Sequence, residues 1–146
     1  MENEIITQIL YLLDGWKLKE DIEEAQANEE EPEITDMDFN KLISSDEVLH
    51  FYNVAYNYAL SYTKLKEFPT YTIIKIVDEV ESEITEIEPQ IQNALYMWSA
   101  GLLWRKYNIR SNDQIDDTNT FGYGDQLVIQ AKEILKTVKG YSFYAY

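Results

Sequence analysis

The sequence predicts an all-α fold, a small bundle of about four to five helices in a single domain that spans residues 1–146. Apolar residues recur at helical spacing along most of the chain, and only five glycines and three prolines interrupt it. The stretch Ala94–Trp104 is apolar on nearly every side, which is typical of a helix surrounded by other helices. A chain of 146 residues without cysteine is long enough to bury such a core without disulfides.

The N-terminal third is predicted to hold one helix and one acidic linker. Residues 3–18 carry an apolar stripe at helical spacing, and this helix is expected to start at an Asn3 cap and to end near Gly15. The next segment, Lys19–Glu33, contains eight acidic residues and almost no apolar ones, so it cannot order itself by burial. We therefore predict a fraying helix end followed by a mobile acidic linker at 19–34.

A short helix is predicted at Met37–Ile43, and a longer, tyrosine-rich helix at Asp46–Lys66. Ser44, followed three residues later by Glu47, fits the capping box that starts many helices. The apolar face of the longer helix recurs at steps of three and four residues. This helix is consequently expected to contribute to the core.

A third long helix is predicted from Thr70 to Ile87. Isoleucines and valines recur there at steps of three and four residues, while the acidic residues between them would face water. The β-branched residues make a strand conceivable over Tyr71–Val77. The 3.6-residue period, sustained over fifteen residues, favours the helix instead.

The C-terminal third is predicted to contain two helices joined by a long loop. A proline at the first turn favours a helix over Gln90–Tyr107. The polar residues of Asn108–Gly124 indicate a loop that is long for a compact domain. Asp125 would then cap the last helix, Gly140 would end it, and Tyr141–Tyr146 would form an extended aromatic tail.

The charge of the chain restricts its partners. Twenty-seven acidic and twelve basic residues give a formal net charge of −15, and such a surface repels a phosphate backbone. Three interpretations remain: an acidic surface along which DNA passes without sticking, a DNA mimic that occupies a basic groove, or acidity that merely keeps the protein soluble. The longest apolar run has eleven residues, whereas a bilayer requires about 20, so we expect a soluble protein with no membrane partner.

No catalytic residue, metal site or cofactor is predicted, and we do not expect an enzyme. His50 is the one histidine and there is no cysteine, so a transition-metal site would need carboxylates almost alone. No serine lies in a Gly-x-Ser-x-Gly elbow. A calcium loop started at Asp117 would place Phe121 and Val128 at ligand positions that require oxygen donors.

The aromatic content points to protein contacts instead. The chain has twelve tyrosines, five phenylalanines and three tryptophans, more than a core of this size requires. Tyrosine is enriched at protein interfaces because it combines a large contact area with a polar tip. We expect partners at the helix Asp46–Lys66, at the Asn108–Gly124 loop and at the aromatic tail.

Two segments carry a resemblance to a known family. The sequence from Ala94 to Asn108, ALYMWSAGLLWRKYN, resembles the penultimate helix of the head–tail connector proteins of tailed bacteriophages. These are small helical head-completion adaptors that sit below the portal. The polar loop that follows, the segment GYGDQLVIQAKEILK at Gly122–Lys136 and the short aromatic tail extend the resemblance over Ile87–Tyr146.

The resemblance implies a structural virion protein at the head–tail junction, made in the host cytoplasm. Such subunits form a ring of roughly twelve copies that contacts the portal protein and tail or stopper proteins, and DNA passes through it as a non-specific contact. We place the hypothetical interface at Ile115, Phe121, Tyr123, Tyr141, Phe143, Tyr144 and Tyr146. The alternative is an acidic DNA mimic or host-protein-binding inhibitor that acts as a small monomer or dimer.

Overall fold

The computed structural model describes residues 2–13, 16–28, 42–111 and 118–143. Within these ranges the chain forms five helices and four strands, so the predicted all-α class is wrong and the fold is mixed. In chain order the elements are α1 (Glu2–Leu12), β1 (Lys17–Leu18), α2 (Lys19–Ala27), β2 (Leu42–Ile43), α3 (Ser45–Thr63), β3 (Thr70–Val77), β4 (Val80–Ile87), α4 (Pro89–Ser111) and α5 (Thr118–Phe143).

Helix α4 lies at the centre of the core, in contact with α1, α3 and α5. Its residues Ile91, Ala94, Leu95, Ala100 and Leu103 are completely buried, as the all-apolar stretch predicts. Its buried Ser99 hydroxyl donates a hydrogen bond of 2.6 Å to the Leu95 carbonyl, which removes the cost of burying that group. Within the described residues, no helix is long and apolar enough to cross a membrane.

Helices α4 and α5 approach each other closely at two glycines. A Cβ atom on Gly101 would lie 2.7 Å from the Gly124 carbonyl oxygen and 2.7 Å from Val128 Cγ2. A Cβ atom on Gly124 would lie 3.0 Å from the Gly101 carbonyl oxygen. These distances are too short for a side chain, so glycine at both positions sets the spacing of the two helices.

The segment Thr70–Ile87, predicted as a helix, is an antiparallel hairpin of β3 and β4. The chain reverses at Asp78 and Glu79, whose φ angles are 51° and 64°. Positive φ at both central residues is the requirement of a type I′ turn, whose twist matches that of a hairpin. The dipeptide Asn-Gly is the usual sequence signal for this turn, so the dipeptide Asp78-Glu79 was only a weak indication of a hairpin. The isoleucines lie on both faces of the hairpin, and their combined spacing imitated a helical period.

The N-terminal region differs from its prediction at three places. Helix α1 already includes Asn3, whose carbonyl accepts a hydrogen bond from the Thr7 hydroxyl at 2.7 Å, and it ends at Leu12, before the predicted end near Gly15. Leu42 and Ile43, predicted as the end of a short helix, instead form β2, which pairs in parallel with β1. The other residues of that predicted helix, and Gly15, lie outside the described residues.

The acidic segment predicted as a linker at 19–34 contains helix α2 over Lys19–Ala27, whereas residues 29–34 lie outside the described part. Helix α2 is anchored through the Glu20 carboxylate. Its two oxygens accept hydrogen bonds of 3.0 and 3.3 Å from the backbone N–H of Ser45, at the start of α3. A carboxylate at a helix N-terminus is stabilised by the free N–H groups and by the helix dipole.

Helix α3 begins where the capping pattern predicts. The Ser44 side chain accepts a hydrogen bond of 3.2 Å from the Glu47 backbone N–H, so the N-cap is confirmed. The Glu47 carboxylate does not return to Ser44 as in a complete capping box, because it contacts Lys106 and Tyr107 of α4. The helix ends at Thr63, followed by a left-handed C-cap at Lys64 with φ 59°.

The predicted long loop at Asn108–Gly124 is wrong over most of its length. Helix α4 continues to Ser111, and α5 begins at Thr118. Asp125 therefore lies inside α5, where its carboxylate pairs with Arg105 at 3.3 Å instead of capping a helix. Gly140 does not end the helix, because α5 continues to Phe143.

Candidate protein-interaction site

The hairpin carries an exposed apolar surface. Every residue of the hairpin tip, defined as Ile74–Glu83, is exposed. The tip includes four large apolar side chains that are between 62% and 67% exposed: Ile74, Ile76, Val77 and Val80. Contiguous exposed apolar surface on a small protein marks a site that contacts another molecule.

The strand register determines which side chains share a face of the tip. Ile74 lies opposite Glu83 and Ile76 opposite Glu81 on one face, whereas Val77 lies opposite Val80 at the turn. Each apolar residue on the first face therefore has a carboxylate beside it. A partner must offer an apolar surface with positive charge along its edge.

Beyond its base, the hairpin is stabilised only by the pairing of its own two strands. The strands pair with each other along eight residues, and their outer edges carry no further strand among the described residues. An isolated two-stranded hairpin is marginally stable in water, and its free edges can pair with another chain. The exposed apolar residues and the unpaired edges thus favour the same interpretation, a docking element.

A cavity of about 390 Å³ lies at the foot of the hairpin, between α1, α3 and α4. Its wall includes three tyrosine rings and two carboxylates, those of Tyr52, Tyr71, Tyr96, Glu4 and Glu86. The Tyr71 hydroxyl donates a hydrogen bond of 3.2 Å to Glu86 across the two strands. This pair joins β3 to β4 at the base of the hairpin.

One amide links the tyrosines of this cavity. The Tyr52 hydroxyl donates to Gln92 Oε1 at 3.0 Å, and Gln92 Nε2 donates to the Tyr96 hydroxyl at 2.9 Å. Burial raises the pKa of Tyr52 to about 12, against the lowering effect of the Gln92 hydrogen bond. Burial, with smaller contributions from Glu4 and Glu86, also raises the pKa of Tyr96. Both phenols are therefore neutral donors and acceptors at physiological pH.

The described residues contain no cluster of metal-binding side chains. No group of three or more histidine, aspartate or glutamate side chains could hold a metal ion in the part of the chain that the structure describes. His50 is exposed, and its ring packs edge-on against Phe51 at 5.5 Å between centroids. The cavity offers carboxylates, phenols and an amide that can bind a polar or cationic group, and the tip offers apolar contact.

Of the predicted interface residues, Tyr123 is the one whose side chain the structure describes. Its hydroxyl donates a hydrogen bond of 2.6 Å to the Leu12 carbonyl, one of the carbonyls that the end of α1 leaves without a helical partner. Its ring packs edge-on against Trp104 at 4.7 Å. Tyr123 therefore joins α5 to α1 within one subunit.

The other predicted interface residues lie at the limits of what the structure describes. Phe121, Tyr141 and Phe143 belong to the backbone of α5, and their side chains lie outside the described set. Ile115, Tyr144 and Tyr146 lie outside the described residues altogether. The role of these six residues at an interface stays a prediction.

Two of the four tyrosines of helix α3, which was predicted as a partner surface, pack into the interior of the protein. Tyr52 is buried, and Tyr56 packs edge-on against the buried Phe68 at 5.2 Å. Tyr58 differs, because 53% of it is exposed and its ring lies 6.3 Å from that of Trp98. The surplus of aromatic residues therefore leaves a smaller free surface than the composition predicts.

Sequence reasoning missed the hairpin tip, because it assigned Ile76, Val77 and Val80 to the apolar face of a helix. The signal was present in the run TYTIIKIV, where seven of eight residues are aromatic or β-branched, a composition typical of strands. An eight-residue run followed by two acidic residues and a second β-branched run is the spacing of a two-residue hairpin.

Comparison with protein-family models, with curated proteins and with solved structures finds no match for this chain. The resemblance of residues 87–146 to head–tail connector proteins consequently stays a prediction from the sequence. What the geometry adds is the docking element described above and the packing of α4 against α5.

Proposed function

We propose that the protein is a head–tail connector subunit of a tailed bacteriophage, which assembles as a ring below the portal in the virion and lets DNA pass through its centre. The observation that carries the proposal is the hairpin tip, a projecting apolar element on an otherwise well-packed small body. A protein that works alone gains nothing from exposing four large apolar side chains, whereas a subunit of an assembly buries them on its neighbours.

Two further features support the proposal. The segment that resembles connector proteins corresponds to α4 and α5, the two most extensively packed helices of the structure. The net charge of −15 suits a ring through which DNA moves, because acidic surfaces repel the phosphate backbone and prevent it from adhering.

Assembly onto phage heads tests this function. Purified protein is mixed with portal-containing heads that lack their connector, and the mixture is examined by negative-stain microscopy. We expect a ring of added density below the portal. A protein that stays monomeric, leaves the heads unchanged and binds a basic nucleic-acid-binding protein instead would identify it as an acidic inhibitor.

The C-terminal segment provides a variant for the same assay. Deletion of Tyr141–Tyr146 removes four aromatic side chains and should abolish attachment to the heads, because a segment so rich in aromatic side chains is typically packed against a partner. Tyr11→Ser is the control, since Tyr11 on α1 is 85% exposed. Both variants should keep the wild-type circular dichroism spectrum and melting temperature. Unchanged attachment of the deletion variant would remove this segment from the interface.

A further inference from the structure

A second surface of the protein has the chemistry that the hairpin tip requires. Helices α3, α4 and α5 form a face that combines aromatic rings, an exposed isoleucine and two lysines. We call it the lysine–aromatic face and define it by Tyr58, Tyr62, Trp98, Ile129, Lys132 and Lys136.

The contacts within this face hold its lysine and rings together. Lys132 Nζ lies 5.8 Å from the centre of the Tyr62 ring and 5.5 Å from that of Trp98, which are cation–π distances. Ile129, Lys132 and Lys136 follow one another at steps of three and four residues, so they lie along one side of α5. Ile129 is 58% exposed, which leaves an apolar patch beside the two positive charges.

The charges of the two surfaces are complementary. The hairpin tip carries four carboxylates between Asp78 and Glu83, against the single lysine Lys75. Residues 126–139 carry three lysines and one glutamate, in a chain whose net charge is −15. Within the described residues Lys132 makes no ion pair, so its charge is available to a carboxylate from another molecule. Complementary charge of this kind orients two apolar surfaces as they meet.

The foot of the hairpin and the lysine–aromatic face lie on opposite sides of α4. The foot of the hairpin packs beside Tyr96, which lines the cavity there, and the lysine–aromatic face includes Trp98. Residues two positions apart along a helix, such as Tyr96 and Trp98, point about 200° apart around its axis. A copy that docks its tip on a neighbour therefore keeps its own lysine–aromatic face free for the next copy. Head-to-tail contacts of this kind produce rings when the rotation closes.

From these observations we propose that the hairpin tip of one copy docks on the lysine–aromatic face of a second copy of this chain. Val77 and Val80 would pack beside Ile129 and Tyr58, and the carboxylates of the adjoining turn, Asp78 and Glu79, would pair with Lys132 and Lys136. The contact deepens the proposed connector function, on which it rests, by naming the surfaces that join neighbouring subunits.

Disulfide trapping tests the pairing directly, because the chain has no cysteine of its own. The full-length double variant Val77→Cys/Ile129→Cys is oxidised and separated on a non-reducing gel. We expect a ladder of oligomers that collapses to monomer on reduction. An equimolar mixture of the two single variants should stop at the mixed dimer, and the double variant Val77→Cys/Tyr11→Cys is the control that should give no ladder.

A charge exchange tests the same contact without a covalent bond. Glu79→Lys or Lys136→Glu alone should weaken self-association about tenfold in sedimentation equilibrium, and the two together should restore it, since coupled charges are not additive. Lys136 is suitable because it is exposed and its ion pair with Glu133 lies at the surface, within α5. Glu24→Lys, the same charge change on the exposed side of α2, is the control that should have no effect.

The outcomes separate this contact from the proposed function. A ladder without decorated heads would support the contact and contradict the connector function. Decorated heads without a ladder from the double cysteine variant, or without rescue by the charge exchange, would overturn the contact and leave the function standing. Dimers of Val77→Cys alone as abundant as the mixed dimer would also overturn it, because they would show a tip-to-tip contact. If Glu79→Lys weakens attachment to the heads but not self-association, the tip docks on the portal instead.

Discussion

Glu47 ties the start of α3 to the end of α4. Its carboxylate accepts hydrogen bonds from Lys106 Nζ and from the Tyr107 hydroxyl, and its side chain is 20% exposed. Burial raises the pKa of Glu47, but the hydrogen bonds from Lys106 and Tyr107 outweigh burial and hold the pKa below its usual value. The charged carboxylate is thus the form that stabilises the fold.

Replacement of Glu47 by glutamine should lower the free energy of unfolding by about 1–3 kcal/mol, because a half-buried lysine loses its counter-charge. The folded-state pKa is lowered, so this stabilisation is present above the unfolded-state pKa, near 4.5, and is lost as the pH falls through the folded-state value. Urea denaturation at pH 7 and at successively lower pH measures the difference. Asp46→Asn, an exposed change in the same turn, should cost less. A Glu47→Gln effect that does not shrink in acid would contradict the assignment.

The stability contributed by Tyr52 depends on pH in the opposite direction from that contributed by Glu47. Burial raises its pKa from 10.0 to about 12, so between these values the unfolded chain ionises this phenol while the folded chain does not. Its contribution to stability is therefore complete below pH 10 and is lost as the pH rises towards 12. Tyr52→Phe should be less stable than the wild type at neutral pH by about 0.5–1.5 kcal/mol, through loss of the Gln92 hydrogen bond.

Stability measurements between pH 10 and pH 12 test this prediction for Tyr52. The stability difference between wild type and Tyr52→Phe should narrow between pH 10 and pH 12 in denaturation experiments. Tyr58→Phe is the control, because Tyr58 is 53% exposed, and its curve should run parallel to that of the wild type. Parallel curves for Tyr52→Phe as well would show that this phenol is not buried in the folded protein.

At the scale of the element, the contact between α4 and α5 depends on the absence of a side chain at Gly101. Alanine favours a helix over glycine by about 1 kcal/mol, yet at this position its Cβ would lie 2.7 Å from the Gly124 carbonyl oxygen. The backbone cannot move aside cheaply, so the two helices would have to separate. Overpacking of this kind typically costs about 1–3 kcal/mol.

Gly101→Ala should therefore destabilise the protein, and Gly122→Ala is its matched control. Gly122 also lies within a helix, α5, but nothing lies within 4 Å of a Cβ placed there. Gly122→Ala should raise the free energy of unfolding by about 0.5–1 kcal/mol. Thermal melts should show a lower melting temperature for Gly101→Ala and a higher one for Gly122→Ala. Changes of the same sign in both variants would show that the spacing of α4 and α5 is not set at Gly101.

Elements whose signals lie in a few neighbouring residues could be predicted from the sequence. The Ser44 cap and the buried middle of α4 were predicted correctly because capping and apolar periodicity act within one or two helical turns. The hairpin was not, since a 3.6-residue period and the combined pattern of two paired strands coincide over Thr70–Ile87. Helix α2 was also missed: its anchor is a contact from Glu20 to Ser45, twenty-five residues along the chain, which no local pattern predicts.

For the candidate site, too, the sequence predicted general properties but not the tertiary arrangement. Aromatic composition and net charge predicted a protein that contacts other molecules, but not the surface that does so. Tyr123, predicted as an interface residue, fastens α5 to the end of α1. The tip residue Ile76, assigned to a helix face, is instead 67% exposed. Which aromatic or apolar side chain remains free depends on what the fold packs against it, and that is decided between distant segments.

For the whole molecule, the sequence by itself determined the acidity, the absence of thiol chemistry and the identity of the central helix. These properties follow from composition and from the pattern of consecutive residues, which no tertiary contact can alter. The tertiary structure decided that residues 70–87 form a projecting hairpin rather than a helix, that two glycines set the distance between α4 and α5, and that a lysine–aromatic face lies across α4 from the foot of the hairpin. The last two depend on packing between residues far apart in the chain, and the hairpin depends on the pairing of two neighbouring strands, which outweighed the apparent helical period.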